Sequence, residues 1–178
     1  MIDRILFHIY SNDLFNDSQY GFTPQRGTVD AAIEVKNVVE ESLRLKQCKV
    51  IVSLDVQGAF DAAWWPSILK QLREHKCPKN LYKLSAIYFS NRKATLSINN
   101  YRTQKEVQKG CTQGSFCGPC FWDVMCNSLL NLKFSSRTKV IAFADDLIVL
   151  TSGACKMETE IYANQNFKKM RAGFLTIQ

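Results

Sequence analysis

Three carboxylates stand where carboxylates are costly. Asp55 closes the β-branched run Val50-Ile51-Val52-Ser53-Leu54, and Asp145-Asp146 falls between Ile141-Ala142-Phe143-Ala144 and Leu147-Ile148-Val149-Leu150. Adjacent carboxylates repel, and apolar surroundings make ionisation costlier still. A bound hard cation is the simplest compensation, because Mg²⁺ is commonly held by one or two carboxylates together with phosphate oxygens. Two such ions about 4 Å apart can activate an attacking hydroxyl and stabilise a leaving pyrophosphate. An ordinary Asp-Asp turn between hairpin strands is the plain alternative, and the pair alone does not exclude it.

Thiols are the second group able to do chemistry. Of the seven cysteines, Cys111, Cys117, Cys120 and Cys126 lie close together. Cys117-Gly118-Pro119-Cys120 is the tetrapeptide that thioredoxins use, and a helix start there would lower a thiol pKa. A dithiol oxidoreductase would place it after an apolar strand in a βαβ unit, whereas here it follows Gly110-Cys111-Thr112-Gln113-Gly114-Ser115-Phe116. Structural zinc wants two short Cys pairs, and only one exists. Buried thiols acting as small hydrophobes are the expectation. An odd count without a secretory signal points to a reducing compartment rather than a disulfide framework. His8 and His75 are isolated and read as neither ligand nor base.

The elements that must position these groups follow from periodicity. Apolar spacing predicts helices over residues 1–14 and 28–46, with a loop at 21–27 between them. Residues 50–54 predict a buried strand that delivers Asp55 at its end. Pro66 suits the first turn of a helix carrying Ile68, Leu69 and Leu72. Asn80 is the expected cap of the next, with Leu81, Leu84 and Tyr88 on one face. Alternation at Ala94, Leu96 and Ile98, followed by Asn99-Asn100, predicts a hairpin over residues 94–107. Helices are expected over residues 114–132 and 154–172, the second stopped by a left-handed Gly173. Residues 140–150 read as two strands whose turn is tipped by Asp145-Asp146. A tight turn presents its tip at one end of a sheet, where Asp55 could meet it. This order is no βαβ alternation. It predicts one α+β domain, an antiparallel sheet backed by helices.

Composition agrees with a globular domain: 178 residues, 46% hydrophobic and 22% charged. No apolar run approaches the roughly 18–20 residues of a membrane span. Residues 1–17 carry Asp3, Asp13 and Asp17 and do not resemble a signal peptide. Between Ala62 and Gly110, ten Lys or Arg face only Glu74 and Glu106, so this stretch alone is more positive than the net +7 of the chain. Such a stretch favours an anionic partner such as nucleic acid, or else forms a solvated surface. Trp64 and Trp65 are expected to pack beneath the sheet rather than stack on bases.

Four blocks carry a family resemblance. Ser53-Leu54-Asp55-Val56-Gln57-Gly58-Ala59-Phe60-Asp61 resembles the first catalytic block of reverse transcriptases, and Phe143-Ala144-Asp145-Asp146 the second. Gly110-Cys111-Thr112-Gln113-Gly114-Ser115 with Gly118-Pro119 resembles the Gln-Gly block beside the incoming nucleotide. The segment from Gln19-Tyr20-Gly21-Phe22 through Gln25-Arg26 to Ala31 is similar to a fingers block. The wording is closest to non-LTR (LINE-like) retrotransposons. The resemblance implies a polymerase palm with partial fingers and no thumb: residues 1–48 as fingers leading into the palm, 49–178 as the palm. It implies an RNA-directed DNA polymerase acting with an RNA template, a DNA primer and dNTPs, in nucleus and cytoplasm. Asp55 and Asp145 would be the main metal ligands for two Mg²⁺ ions (Mn²⁺ as substitute), with Asp146 and the Val56 carbonyl completing the site. Phe60 would exclude a 2′-hydroxyl, Gln113 and Gly114 would line the nucleotide, and Gln25 and Arg26 would touch the template.

Three departures shape the expectation. Thr112 stands where the family usually has Pro, which predicts a less rigid loop. The Arg-Pro block that precedes the family's fingers is not in this sequence. After Gly173-Phe174-Leu175-Thr176-Ile177-Gln178 the family normally continues to a Lys-Thr pair and a thumb. Weak or no polymerisation by this chain alone is therefore expected, and a non-catalytic nucleic-acid-binding remnant is the alternative.

Overall fold

A computed structural model describes the backbone of residues 1–177, with side chains as far as Phe174; the last residue of the C-terminal run falls outside it. Helices α1 (Ile2–Ser11) and α2 (Thr28–Arg44) precede strand β1 (Cys48–Asp55). The short α3 (Ala59–Ala62), α4 (Trp65–Glu74) and α5 (Lys79–Phe89) follow, then the hairpin β2 (Lys93–Ile98) and β3 (Tyr101–Glu106). Helix α6 (Cys117–Leu130), strands β4 (Thr138–Phe143) and β5 (Asp146–Gly153), and α7 (Lys156–Ile177) complete the order. This is the α+β arrangement the pattern predicts.

Strands β1, β5 and β4 form one antiparallel sheet in that spatial order, and β2–β3 stand apart as a second. Side chains alternate across a strand, so the sheet has two faces. On one, Val140, Ala142, Leu147 and Val149 join the main core with Phe121, Trp122, Val124 and Met125 of α6 and Met170 of α7. On the other, Ile141 and Leu150 meet Ala31, Val35, Val38 and Val39 of α2. The long α6 is buried nearly all round, because α1, α4, α7 and the sheet each take one of its sides.

Several local expectations are corrected. Strand β1 is not buried throughout: Ile51, Ser53 and Asp55 lie on the face away from the main core, across from Leu150, Ile148 and Asp146 of β5, and are exposed. Helix α5 begins at Lys79 with Pro78 as its cap residue, so Asn80 lies inside the first turn. Helix α7 runs through Gly173 rather than stopping there. A Cβ at Gly173 would come within 2.8 Å of Leu132 and 2.9 Å of Leu129, so that glycine serves a close helix–helix approach. Trp65 is buried, as expected of an aromatic, but stacks on Phe89 at the α4–α5 contact instead of beneath the sheet.

Candidate active site

Strand register assembles the acids. Asp55 lies opposite Asp146 across β1–β5, and Phe143 lies opposite Asp146 across β4–β5. The connection is therefore the two-residue turn Ala144-Asp145, with positive φ (56°) at Ala144 and not at Asp145. Among two-residue hairpin turns that sign pattern is the type II′ signature. Directly opposed residues share a face, so Asp55 and Asp146 form a like-charged cross-strand pair. Asp145 stands one residue further out, at the tip of the turn. The register thus sets Asp146, rather than Asp145, directly across from Asp55.

Burial corrects the premise of the sequence argument. Asp55 and Asp146 are exposed and Asp145 is half-buried, so the apolar flanks face the core while the acids sit at the solvent edge of the sheet. None of the three joins an ion pair among the described residues. No three His, Cys, Asp or Glu side chains among the described residues are grouped closely enough to hold a metal by themselves. The donor set is nevertheless all carboxylate and carbonyl oxygen at one sheet end, which suits a hard divalent cation completing its shell with substrate phosphates. The Val56 carbonyl accepts the Ala59 N–H at 3.0 Å and keeps a second lone pair.

Phe60, Gln113 and Gly114 come together. They line one cleft of about 660 Å³ with Phe22, Ser115, Phe116 and Pro119. The Phe60 ring sits between Phe22 (centroids 6.3 Å, edge-on) and Trp122 (5.8 Å, tilted). Gly114 has φ 76° with open space where a Cβ would stand. Thr112 is held at its carbonyl, which accepts the Ser115 N–H at 3.0 Å, and at its hydroxyl, which accepts from Arg92 at 3.3 Å.

Gln25 and Arg26 line a different cavity, with Tyr10, Leu14 and Pro24. Gln25 is exposed. The Arg26 guanidinium is engaged within the chain: it pairs with Asp17 at 3.0 Å, donates to the Gln19 carbonyl at 3.2 Å and lies over the Tyr20 ring.

Behind the acids lies a brace that the sequence reading missed. Residues 18–20 run parallel to β4 as one bridge, the Ala142 N–H donating to the Ser18 carbonyl and the Tyr20 N–H to the Ala142 carbonyl, both at 2.9 Å. Gly21 then passes against the carboxylate turn so closely that a Cβ would stand 2.0 Å from the Ala144 nitrogen. The Trp122 indole N–H donates to the Ala144 carbonyl at 2.8 Å. Beneath them the buried Gln19 amide donates to the buried Asp123 carboxyl at 2.6 Å. Burial pushes the Asp123 carboxyl up to about 8, against a smaller downward pull from Gln19. The raised acid holds its proton near neutral pH, and Gln19 Oε1 is buried without a hydrogen-bond partner among the described residues. An acid inside the apolar run Phe121-Trp122-Asp123-Val124-Met125 was the available signal.

Four of the seven thiols behave as core, while Cys48 and Cys155 are exposed and Cys117 is half-buried. All seven are free, and Cys77, Cys111, Cys120 and Cys126 are buried. Burial raises the Cys111 thiol to about 11 and drives Cys120 up further, away from the thiolate that redox or metal chemistry needs.

Residues 1–177 match the family described as reverse transcriptase (RNA-dependent DNA polymerase). The chain belongs to this family. Its similar relatives are proteins of non-LTR retrotransposons. A Pol polyprotein of the type-1 retrotransposable element R1 of Bradysia coprophila is 36% identical over 72% of this chain and 12% of that protein. A 115 kDa protein in the element R1DM of Drosophila melanogaster is 33% identical over 76% and 13%. The RNA-directed DNA polymerase of the mobile element jockey of Drosophila funebris is 29% identical over 79% and 16%. The chain thus spans only 12 to 16% of the length of these relatives. Among solved structures, apo telomerase from Candida tropicalis, truncated from its C-terminal domain, matches with a TM-score of 0.70. That match covers 94% of this chain and 35% of the other at 11% identity, and it establishes a shared polymerase palm-like fold. Reverse transcriptases generally use divalent metals. No helix among the described residues is long and apolar enough to cross a membrane.

Proposed function

We propose that this chain forms the palm core of an RNA-directed DNA polymerase, with residues 1–48 as the fingers side and the remainder as palm. The observation that carries it is the β1–β5 register, which sets Asp55 opposite Asp146 beside the Ala144-Asp145 turn in a chain of this family. Asp55 and Asp145, assisted by Asp146 and the Val56 carbonyl, are the groups to hold two Mg²⁺ ions, with Mn²⁺ able to substitute. Bound there, the ions would supply Lewis-acid activation of a primer 3′-hydroxyl and neutralise the charge on departing pyrophosphate. The 3′-hydroxyl would lose its proton to solvent as its oxygen bonds to the α-phosphorus of a dNTP, and the bond from that phosphorus to the α–β bridging oxygen would break, that oxygen leaving with pyrophosphate.

The chain's own residues do the positioning. Phe60, wedged between Phe22 and Trp122, offers a wall against a ribose 2′-hydroxyl, and Gln113 and Gly114 line the same cleft. The basic stretch from Ala62 to Gly110 supplies cations for the nucleic-acid backbone of an RNA template and DNA primer. Exposed Gln25 would touch the template, with Arg26 holding the loop beneath it.

Primer extension on an RNA template with dNTPs and Mg²⁺ tests this, comparing the chain with Asp145→Asn. Extension by the wild type alone supports it. Extension by both removes Asp145 from the site. Extension by neither, with retained binding of the RNA–DNA duplex, favours the non-catalytic remnant.

A further inference from the structure

One side chain touches both halves of the candidate site. Trp122 lies mid-helix in α6, 2% exposed. Its N–H donates to the Ala144 carbonyl at 2.8 Å, and its ring seats Phe60 at 5.8 Å. The Ala144 carbonyl belongs to the peptide that leads into Asp145, so the orientation of that peptide plane sets the direction in which the Asp145 side chain leaves the turn. Ala144 is also left-handed, a region that costs an L-residue about 1 kcal/mol and persists only where neighbours over-determine it. Gly21 packs against the preceding 143–144 peptide, and Trp122 fixes the 144–145 peptide, so both peptides of Ala144 are held.

We propose that Trp122 is a positioning residue for the metal-binding acids: its indole N–H fixes the 144–145 peptide and thereby aims Asp145, while its ring sets Phe60 relative to the same turn. This rests on the polymerase reading above. Bonds behind a metal ligand that orient it change affinity about 10- to 100-fold when removed.

The test measures Mn²⁺ binding to the full chain by the electron paramagnetic resonance signal of the free ion. Trp122→Phe keeps an aromatic ring toward Phe60 and removes the N–H donor. Ile68→Val, at a fully buried α4 position away from the turn, controls for general loosening. Trp122→Phe is expected to weaken Mn²⁺ binding about tenfold, with Ile68→Val unchanged. Equal affinity in Trp122→Phe and wild type, or an equal fall in Ile68→Val, overturns the proposal and leaves the polymerase reading standing. A wild type that binds no better than Asp145→Asn overturns the reading itself and this inference with it. Should Trp122→Phe fail to fold, the wild type decides. The chain has three tryptophans, and Trp65, whose N–H donates to Gly110, is an internal reference. Mg²⁺ is expected to shift the Trp122 indole ¹H–¹⁵N signal and not that of Trp65; an unmoved Trp122 signal overturns the proposal.

Discussion

The β2–β3 hairpin turns through Asn99-Asn100 and the β4–β5 hairpin through Ala144-Asp145, each with positive φ at the first central residue only (52° and 56°). The backbone solutions match, but the surroundings differ. Every residue of β2 and β3 is exposed, with Leu96, Ile98 and Tyr101 uncovered on one face. The β4–β5 turn is instead enclosed by Gly21, Trp122 and the bridge to residues 18–20. Asparagine tolerates the left-handed region locally, whereas alanine there needs help from outside. The exposed hairpin carries its turn in its own sequence, and the site hairpin borrows its turn from distant segments. Geometry that is held from outside can be set by the rest of the fold, which is what a site requires.

Four substitutions would break or sharpen this contrast. Gly21→Ala pushes a Cβ into backbone that cannot yield like a flexible side chain, and is expected to cost about 3 kcal/mol in urea unfolding; a cost below ~0.5 kcal/mol would mean that the turn is not held from that side. Phe60→Val, in a polypeptide that polymerises, should relax the preference for dNTPs over rNTPs by about tenfold, while Tyr101→Val in the exposed hairpin leaves it unaltered. Competitive incorporation of the two nucleotide types reads this directly.

Asp123→Asn bears on the floor beneath the site turn. Burial raises the folded-state acid well above its unfolded value, so the folded chain holds a proton that the unfolded chain loses. Stability from this group is intact below the unfolded carboxylate range and declines as pH rises towards about 8, then levels off. Asp123→Asn should abolish that decline and be more stable than wild type at pH 8 by upwards of ~1 kcal/mol. Parallel slopes of unfolding free energy from pH 5 to 8 in both proteins would rule this out. The smallest effect is Asn99→Ala, which gives the exposed turn the residue of the enclosed one. It should cost about 0.5–1 kcal/mol locally, visible as faster amide exchange in β2–β3 with little change in global unfolding.

The acids and the strands that carry them were legible because Asp55 and Asp145-Asp146 interrupt apolar runs whose periods are short and clear. The exposed hairpin was legible because Asn99-Asn100 announces its own backbone. What could not be read is tertiary. Gly173 looks like a helix stop, but the space it saves lies against Leu129 of α6 and Leu132 just beyond that helix's end. The pairing of Asp55 with Asp146 depends on strand register, which a one-residue slip would reverse. The brace works largely through backbone groups of Ser18, Ala142 and Ala144, and a carbonyl acceptor leaves no mark in a sequence. Asp123 is the exception, since an acid within Phe121-Trp122-Asp123-Val124-Met125 announces a buried partner without naming it.

The bond from Gln19 to Asp123 joins residues 104 positions apart, and the bridge beside it joins the N-terminal region to β4. Contacts of such long span close late when a chain folds, because the loop entropy is lost before the contact repays it. On a ribosome the carboxylate turn cannot be clamped until β5 has emerged, so a product terminated before it would contain Asp55 without the strand that Asp55 pairs across.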